Sequence, residues 1–258
     1  MKTVKSTKFL VAGYGLPAEF GITTLFGAGA LPENVALLTH ESDERNIGLR
    51  SLAELRKIAM FDGNCKSPDC IEWVRRFSPD VIVSLHYRAL IPSAILDLAP
   101  LGSVNLHPSL LPEYRGTNSV AWVLINGEKE TGFTFHRMNE QFDKGNILYQ
   151  ESLPIYDDDT AFSLFHRQIS RAMGKLEMVI QQLLRGDPGK AQRAGGTYFK
   201  RGLPHDGVID PEWSADQIDR FIRAMYFPPF APAKVVVNDV CHWVTSFEQY
   251  LSVASLSA

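Results

Sequence analysis

The sequence predicts an α/β fold: a Rossmann-like, mostly parallel sheet followed by a short C-terminal α+β extension. Three features predict it. Short apolar runs alternate with amphipathic stretches through the first half of the chain, the pattern of βαβ units. A glycine turn, Gly13-Tyr14-Gly15, separates the first apolar run from the first helical stretch. The composition is globular, with 258 residues, 45% hydrophobic and 21% charged, which supplies a core and excludes disorder, collagen and coiled coil.

Taken in order, Phe9–Ala12 reads as a first strand and Ala18–Phe26 as the helix after its turn. Val35–Leu38 is a second buried strand, and Leu52–Ile58 is helical. Cys70–Phe77 is a helix stopped by Pro79, followed by a third strand, Val81–Leu85. Pro92–Leu98 is helical and Ser103–Leu106 is a fourth, short strand. Asn118–Ile125 then reads as a helix with Gly127 past its end, and Phe133–Met138 and Ile147–Leu153 as two strands joined by a loop. Thr160–Leu184 is the longest helix: Phe162, Phe165, Ile169, Met173, Leu176 and Ile180 recur at helical spacing, and Asp157-Asp158-Asp159 supplies acids for its N-terminus.

After Gly186 the texture changes, with Gly, Pro and Arg frequent through Gly207. A boundary placed there gives a main domain over 1–205 and an extension over 206–258. The extension holds a helix at Asp216–Met225, a Pro/Phe segment at Tyr226–Pro232, and strand-like pieces at Val235–Val237 and His242–Thr245. It is too short for a large core of its own, so it is expected to pack on the main domain or across a homodimer interface.

The net charge of −3 provides no global basic field for nucleic acid. Cys65, Cys70 and Cys241 make no disulfide framework, and Cys65 and Cys70 lack the downstream His/Cys pair of a structural zinc site, so no metal is expected. No apolar run reaches the ~18 residues of a membrane span. The basic N-terminus is followed by an apolar stretch broken at Gly13, Gly15 and Pro17, so a signal peptide is not expected, and the chain reads as cytoplasmic.

Two places carry chemistry. The first is the glycine turn, where Gly13-x-Gly15-x-x-Ala18 fits the dinucleotide fingerprint between a strand and a helix, with Glu41 where a ribose-binding acid would stand. The same pattern also fits a plain tight βα turn, and an NAD-dependent enzyme is the alternative reading. The second is Asn105 and His107, two residues apart at a strand end, hence on one face, with Pro108 stopping the strand. Such strand ends border the ligand crevice of an open α/β sheet. Asp143 lies in a glycine-containing loop between two strands. By itself each residue has a structural reading. Together they supply an imidazole base, a carboxylate to orient it, and an amide to meet an oxyanion.

The run Asn105-x-His107-x-Ser109-Leu110-Leu111-Pro112-x-Tyr114-Arg115-Gly116, followed by Asp143-x-Gly145-x-Ile147, resembles the formyltransferases that use 10-formyltetrahydrofolate. The flanking segments His86-Tyr87-Arg88 and Leu90-Ile91, Asn126–Glu128 and Thr131–Gly132 are similar too. The resemblance implies that Asn105, His107 and Asp143 are catalytic. It also implies that folate is held near His86, Tyr87, Arg88, Leu90, Ile91, Met138, Asn139 and Phe142. The short extension argues against the tRNA-directed branch.

The chain as a whole resembles the sugar N-formyltransferases, notably at Tyr114–Trp122, Ser163–Gln168 and Ile218–Phe230. That branch implies a nucleotide-linked 4-amino-4,6-dideoxy sugar as acceptor, GDP-perosamine ahead of a TDP-linked sugar, in O-antigen biosynthesis. A diphosphate needs cations and a base needs rings. Arg115, Lys144, Arg220 and Arg223, with Tyr14, Tyr114, Gly116, Asn118 and Phe230, form the candidate substrate set; Trp213, Tyr226 and Phe227 are further available rings.

Overall fold

The computed structural model describes residues 2–40 and 43–255, so Glu41 lies outside the described residues. The first half alternates as expected: β1 (Phe9–Gly13), α1 (Gly15–Gly27), β2 (Val35–Thr39), α2 (Ile47–Leu55), β3 (Ala59–Asp62), α3 (Pro68–Phe77), β4 (Val81–Leu85), α4 (Ser93–Leu96) and β5 (Ser103–His107). There follow β6 (Arg115–Gly116), α5 (Ser119–Ile125), β7 (Glu130–Arg137), β8 (Ile147–Pro154), α6 (Ala161–Leu184), β9 (Tyr198–Phe199), α7 (Ala215–Met225), β10 (Ala233–Val237), β11 (Val240–Val244) and α8 (Phe247–Ala254).

Seven strands form one sheet in the order β3-β2-β1-β4-β5-β7-β8. The pairings among β1 to β5 are parallel, and β7 runs antiparallel to β5. Every residue of β1, β2 and β4 is buried, as expected of parallel strands covered on both faces. That is why they read as uninterrupted apolar runs. β3 was not anticipated: it is an edge strand of Ala-Met-Phe-Asp without one buried residue, and the helix before it begins and ends earlier than the expected Leu52–Ile58. α8, which starts on a Ser246 cap, also went unpredicted.

Gly13 earns its place by close approach, since a Cβ there would stand 2.4 Å from the Ala18 Cβ. The turn therefore brings α1 tightly against β1. Cys65 and Cys70 are free and buried in the core with Leu10, Leu38, Val74 and Ile82.

The chain divides into two compact units rather than at residue 205. One comprises Met1–His107, Thr134–Gln150 and Ile169–Ala194; the other comprises Pro108–Phe133, Glu151–Gln168 and Gly195–Ala258. A composition change marks where the chain alters character, not where it crosses between units. The second unit has its own core, in which Ile218, Phe221 and Ile222 of α7 meet Val235, Val237 and Val244 of the β10–β11 hairpin. The start of α6 is capped by Thr160, whose hydroxyl accepts the Ser163 N–H at 3.2 Å. Asp159 instead pairs with Arg167 at 2.5 Å. No helix among the described residues is long and apolar enough to cross a membrane.

Candidate active site

β5 delivers two groups. Asn105 and His107 project from one face of the strand, and His107 is 4% exposed. On the antiparallel neighbour β7, His136 stands directly opposite Asn105. Opposed residues share a face, and Asn105 Nδ2 lies 3.1 Å from His136 Nε2. Asp143 enters from the loop between β7 and β8. Its Oδ1 is 3.6 Å from His107 Nδ1 and 3.4 Å from His136 Nε2. One buried carboxylate oxygen thus faces two imidazoles.

The protons follow from the partners. His136 Nδ1 is 2.9 Å from the Arg137 carbonyl, which only accepts. In the neutral ring the proton is therefore on Nδ1, and Nε2 accepts from the Asn105 amide. This fixes the amide with its NH2 toward His136 and leaves a second N–H for an oxyanion. His107 presents Nδ1 to Asp143, so Nε2 is its basic nitrogen. The 3.6 Å separation is longer than a hydrogen bond. His136 is a site residue that sequence reasoning missed. Its only signal was a histidine within an apolar strand, and the β5·β7 register is what brings it to Asn105.

A second cluster lies where the strand order reverses, between β1 and β4, the crevice position of an open sheet. Tyr14 follows β1 and donates its backbone N–H to the Leu85 carbonyl at 3.3 Å. Its ring meets those of His40 and His86, with the guanidinium groups of Arg45 and Arg88 at 5.6 and 5.2 Å. Asp43 is held down to about 2 by Arg45 and then by the Tyr14 hydroxyl. His40 stacks on Tyr87 at 4.5 Å, and its Nε2 accepts the Arg88 N–H at 3.0 Å. His86 has an exposed edge, but crowding of its ring, followed by the charges of Arg88 and Arg45, pushes it down to about 4.

Residues 42–176 match the model of the formyl transferase family. The chain is 56% identical, over 98% of its length and 98% of the relative's, to GDP-perosamine N-formyltransferase of Brucella melitensis biotype 1. The chain belongs to the formyltransferase family. It is also 33% identical, over 94% of its length, to the bifunctional polymyxin resistance protein ArnA of Wigglesworthia glossinidia brevipalpis, of which it covers 38%. Its fold is that of a sugar N-formyltransferase from Shewanella sp. FDAARGOS_354, at TM-score 0.74, 21% identity and 92% and 96% coverage of the two chains. It is likewise that of an N-formyltransferase from Helicobacter canadensis, solved with folinic acid and dTDP-3-aminofucose, at TM-score 0.75, 21% identity and 93% and 87% coverage.

In this formyltransferase the expected folate residues part company. His86, Tyr87 and Arg88 surround the crevice at the strand-order reversal. Ile91 is 4% exposed and turned into the core, where Tyr87 and Met138 pack against the same cluster. The Leu90 carbonyl accepts the Cys65 thiol at 3.5 Å, and Asn139 Oδ1 accepts the Gln141 N–H at 2.9 Å. Phe142, beside Asp143, is 49% exposed.

The expected substrate residues also differ among themselves. Tyr14 belongs to the crevice, and Lys144 is exposed next to Asp143. In the second unit, Tyr114, Arg115 and Asn118 bond to residues within 128 and 195–202, and Gly116 packs against Phe199. Arg220 pairs with Asp216 and donates to the Ile125 carbonyl at 3.2 Å. Arg223 pairs with Asp219 at 2.8 Å and donates to the Asp159 carbonyl at 2.9 Å. Both arginines line a cleft of about 370 Å³ with Lys129, Tyr156 and Asp157. Phe230 lies with its ring tilted against that of Phe227, centroids 5.9 Å apart, and is 50% exposed. Among the described residues no group of three or more His, Cys, Asp or Glu is arranged to hold a metal. The nicotinamide reading is not favoured: Asn46 Oδ1 already accepts the Gly15 N–H at 3.1 Å, removing a donor that a pyrophosphate would need.

Proposed function

We propose that the protein transfers the formyl group of 10-formyltetrahydrofolate to the 4-amino group of GDP-perosamine. One conjunction carries the reading. Asn105, His107 and Asp143 stand together at a strand end, in a chain 56% identical almost end to end to a GDP-perosamine N-formyltransferase. The crevice fits a flat heterocycle with a charged tail, because it offers stacked rings and two arginines.

The chain's own residues act as follows. His107 Nε2 accepts a proton from the sugar ammonium, and Asp143 holds the ring and stabilises the imidazolium. The freed amine attacks the formyl carbon. The second Asn105 N–H meets the negative charge gathering on the formyl oxygen, while His136 keeps that amide in place. As the C–N bond to the folate breaks, His107 returns its proton to the departing nitrogen, and the extra proton on the newly acylated nitrogen leaves to solvent, so the net reaction releases one proton.

The β10–β11 hairpin supports a homodimer. Val236 and Trp243 are 48% and 56% exposed, and Trp243→Glu is expected to give a monomer by light scattering. The setting is cytoplasmic, and the product serves O-antigen assembly in lipopolysaccharide.

The test offers GDP-perosamine and a TDP-linked 4-amino sugar in parallel, each with 10-formyltetrahydrofolate, and reads the mass gain of one formyl group. A strong preference for GDP-perosamine is expected. Equal rates, or a preference for the TDP sugar in line with the ligand of the Helicobacter canadensis protein, would remove the GDP assignment.

A further inference from the structure

We infer that the segment Asp187–Gln192 is a brace that positions Asp143, with Gln192 as its positioning residue. The inference rests on the reading that Asp143 orients His107.

Residues 138–145 lie outside the strand ladder, which closes where Arg137 N–H meets the Asn146 carbonyl at 2.8 Å. Within this loop Gln141 N–H donates to Asn139 Oδ1 at 2.9 Å, and Lys144 N–H to the Gln141 carbonyl at a long 3.5 Å. Asp143 nevertheless sits at φ 54°, a conformation that costs a non-glycine residue energy and persists only when its surroundings impose it.

The surroundings come from the segment after α6. Arg137 donates through Nε and Nη2 to the Asp187 carbonyl at 2.9 and 2.5 Å. Asn146 Nδ2 donates to the Pro188 carbonyl at 3.0 Å. Ile147 and Lys190 exchange N–H···O bonds, both at 2.8 Å. The segment ends in Gln192, whose Nε2 donates to the Asp143 carbonyl at 2.7 Å and the Gly145 carbonyl at 2.8 Å. One amide thus spends both its hydrogens on the carbonyls flanking Lys144. It fixes the peptide planes on either side of the turn and, through the first, the backbone of Asp143 itself. Gly145 completes the seat, since a Cβ there would fall 1.7 Å from the Arg137 carbonyl oxygen.

The loop that carries the carboxylate is therefore stitched to its strands on one side and to the brace on the other. Loss of Gln192 leaves Asp143 in place chemically but loosely aimed. A displacement on the order of 1 Å at a catalytic group costs up to about 100-fold in rate.

The test is Gln192→Met in the full chain, which keeps the length and removes both donors. Amide hydrogen exchange by mass spectrometry over 138–147 is expected to accelerate about tenfold or more, as two hydrogen bonds are lost, with other peptides unchanged. In formylation of GDP-perosamine, kcat is expected to fall about 10- to 100-fold. KM for both substrates stays within about threefold, and kcat is taken per folded molecule from the melting curve, so that a general loss of stability, which lowers only the amount of folded enzyme, does not mimic the split. Gln192→Lys, which returns donors at similar reach, restores protection and kcat. Unchanged exchange over 138–147, or an unchanged kcat, overturns the brace. If Gln192→Met does not fold, Gln192→Asn, too short to span both carbonyls, is judged by the same readouts. If the wild type formylates no nucleotide sugar, the proposed function fails, while the exchange comparison still decides the brace.

Discussion

Asn105–Gly116 is one continuous run in sequence and two different devices in the fold. Asn105 and His107 belong to the first unit, where their polar atoms face His136 and Asp143. From Pro108 onward the chain belongs to the second unit, and the polar atoms serve the chain itself. Ser109 Oγ donates to the Glu113 carbonyl at 2.7 Å, the Tyr114 hydroxyl to Glu128 at 2.5 Å, and Arg115 Nη1 to the Gly195 carbonyl at 3.0 Å. Thr117 Oγ1 reaches the Lys200 carbonyl at 2.8 Å and Asn118 Nδ2 the Gly202 carbonyl at 2.6 Å. The difference teaches that a motif's length is no guide to the extent of its chemistry. Substitutions before Pro108 should cost rate, and substitutions after it should cost stability.

The largest effect is expected on the catalytic side. Asp143→Asn keeps the shape and removes the charge facing both imidazoles, so kcat should fall about 100-fold or more in a steady-state formylation assay. The melting temperature should move little. A large loss of stability with kcat preserved in the folded fraction would break the contrast.

On the other side, Gly116→Ala should reverse the pattern. Gly116 has φ 93°, and a Cβ would stand 2.1 Å from the Phe199 carbonyl oxygen. A destabilisation of about 2–3 kcal/mol is expected by denaturant titration, with kcat per folded molecule retained.

How much of this was legible depends on what each residue works through. β1, β2 and β4 were visible because strands buried on both faces are written as apolar runs. β3 was not, because an edge strand with exposed Ala59 and Asp62 has no such signature. Asn105 and His107 were legible from their spacing at a strand end, and Asp143 from its loop. His136 was hidden because its role depends on the β5·β7 register, which spacing along one strand does not encode. Gln192 was hidden for a different reason: it acts on backbone carbonyls 49 and 47 residues away, and carbonyls carry no sequence identity. Arg220 and Arg223 show the converse, residues whose chemistry suits a diphosphate but whose groups are paired within α7.

A smaller effect sharpens the account of the second unit. Burial alone would raise the Asp159 carboxyl, but the Arg167 guanidinium, the Tyr156 N–H and the Ser163 hydroxyl outweigh it and hold it below its ordinary range. A lowered carboxylate stabilises the fold above its unfolded pKa of about 4 and loses that contribution as pH falls through the lowered value. Asp159→Asn should therefore lower the melting temperature at neutral pH, with the gap to wild type closing in acid. A gap that widens in acid would contradict the pairing. The smallest effect is Tyr114→Phe, which removes the bond to Glu128 and should cost about 1 kcal/mol without changing kcat.

The most direct measurement is the formylation rate of GDP-perosamine by His107→Asn beside wild type, at matched concentrations of folded protein confirmed by their melting curves. A fall of about 100-fold or more, with coincident melting curves, is the predicted result. A His107→Asn protein that formylates the sugar at the wild-type rate would contradict the assignment of this histidine as the base, and with it the division of the motif into chemistry and architecture.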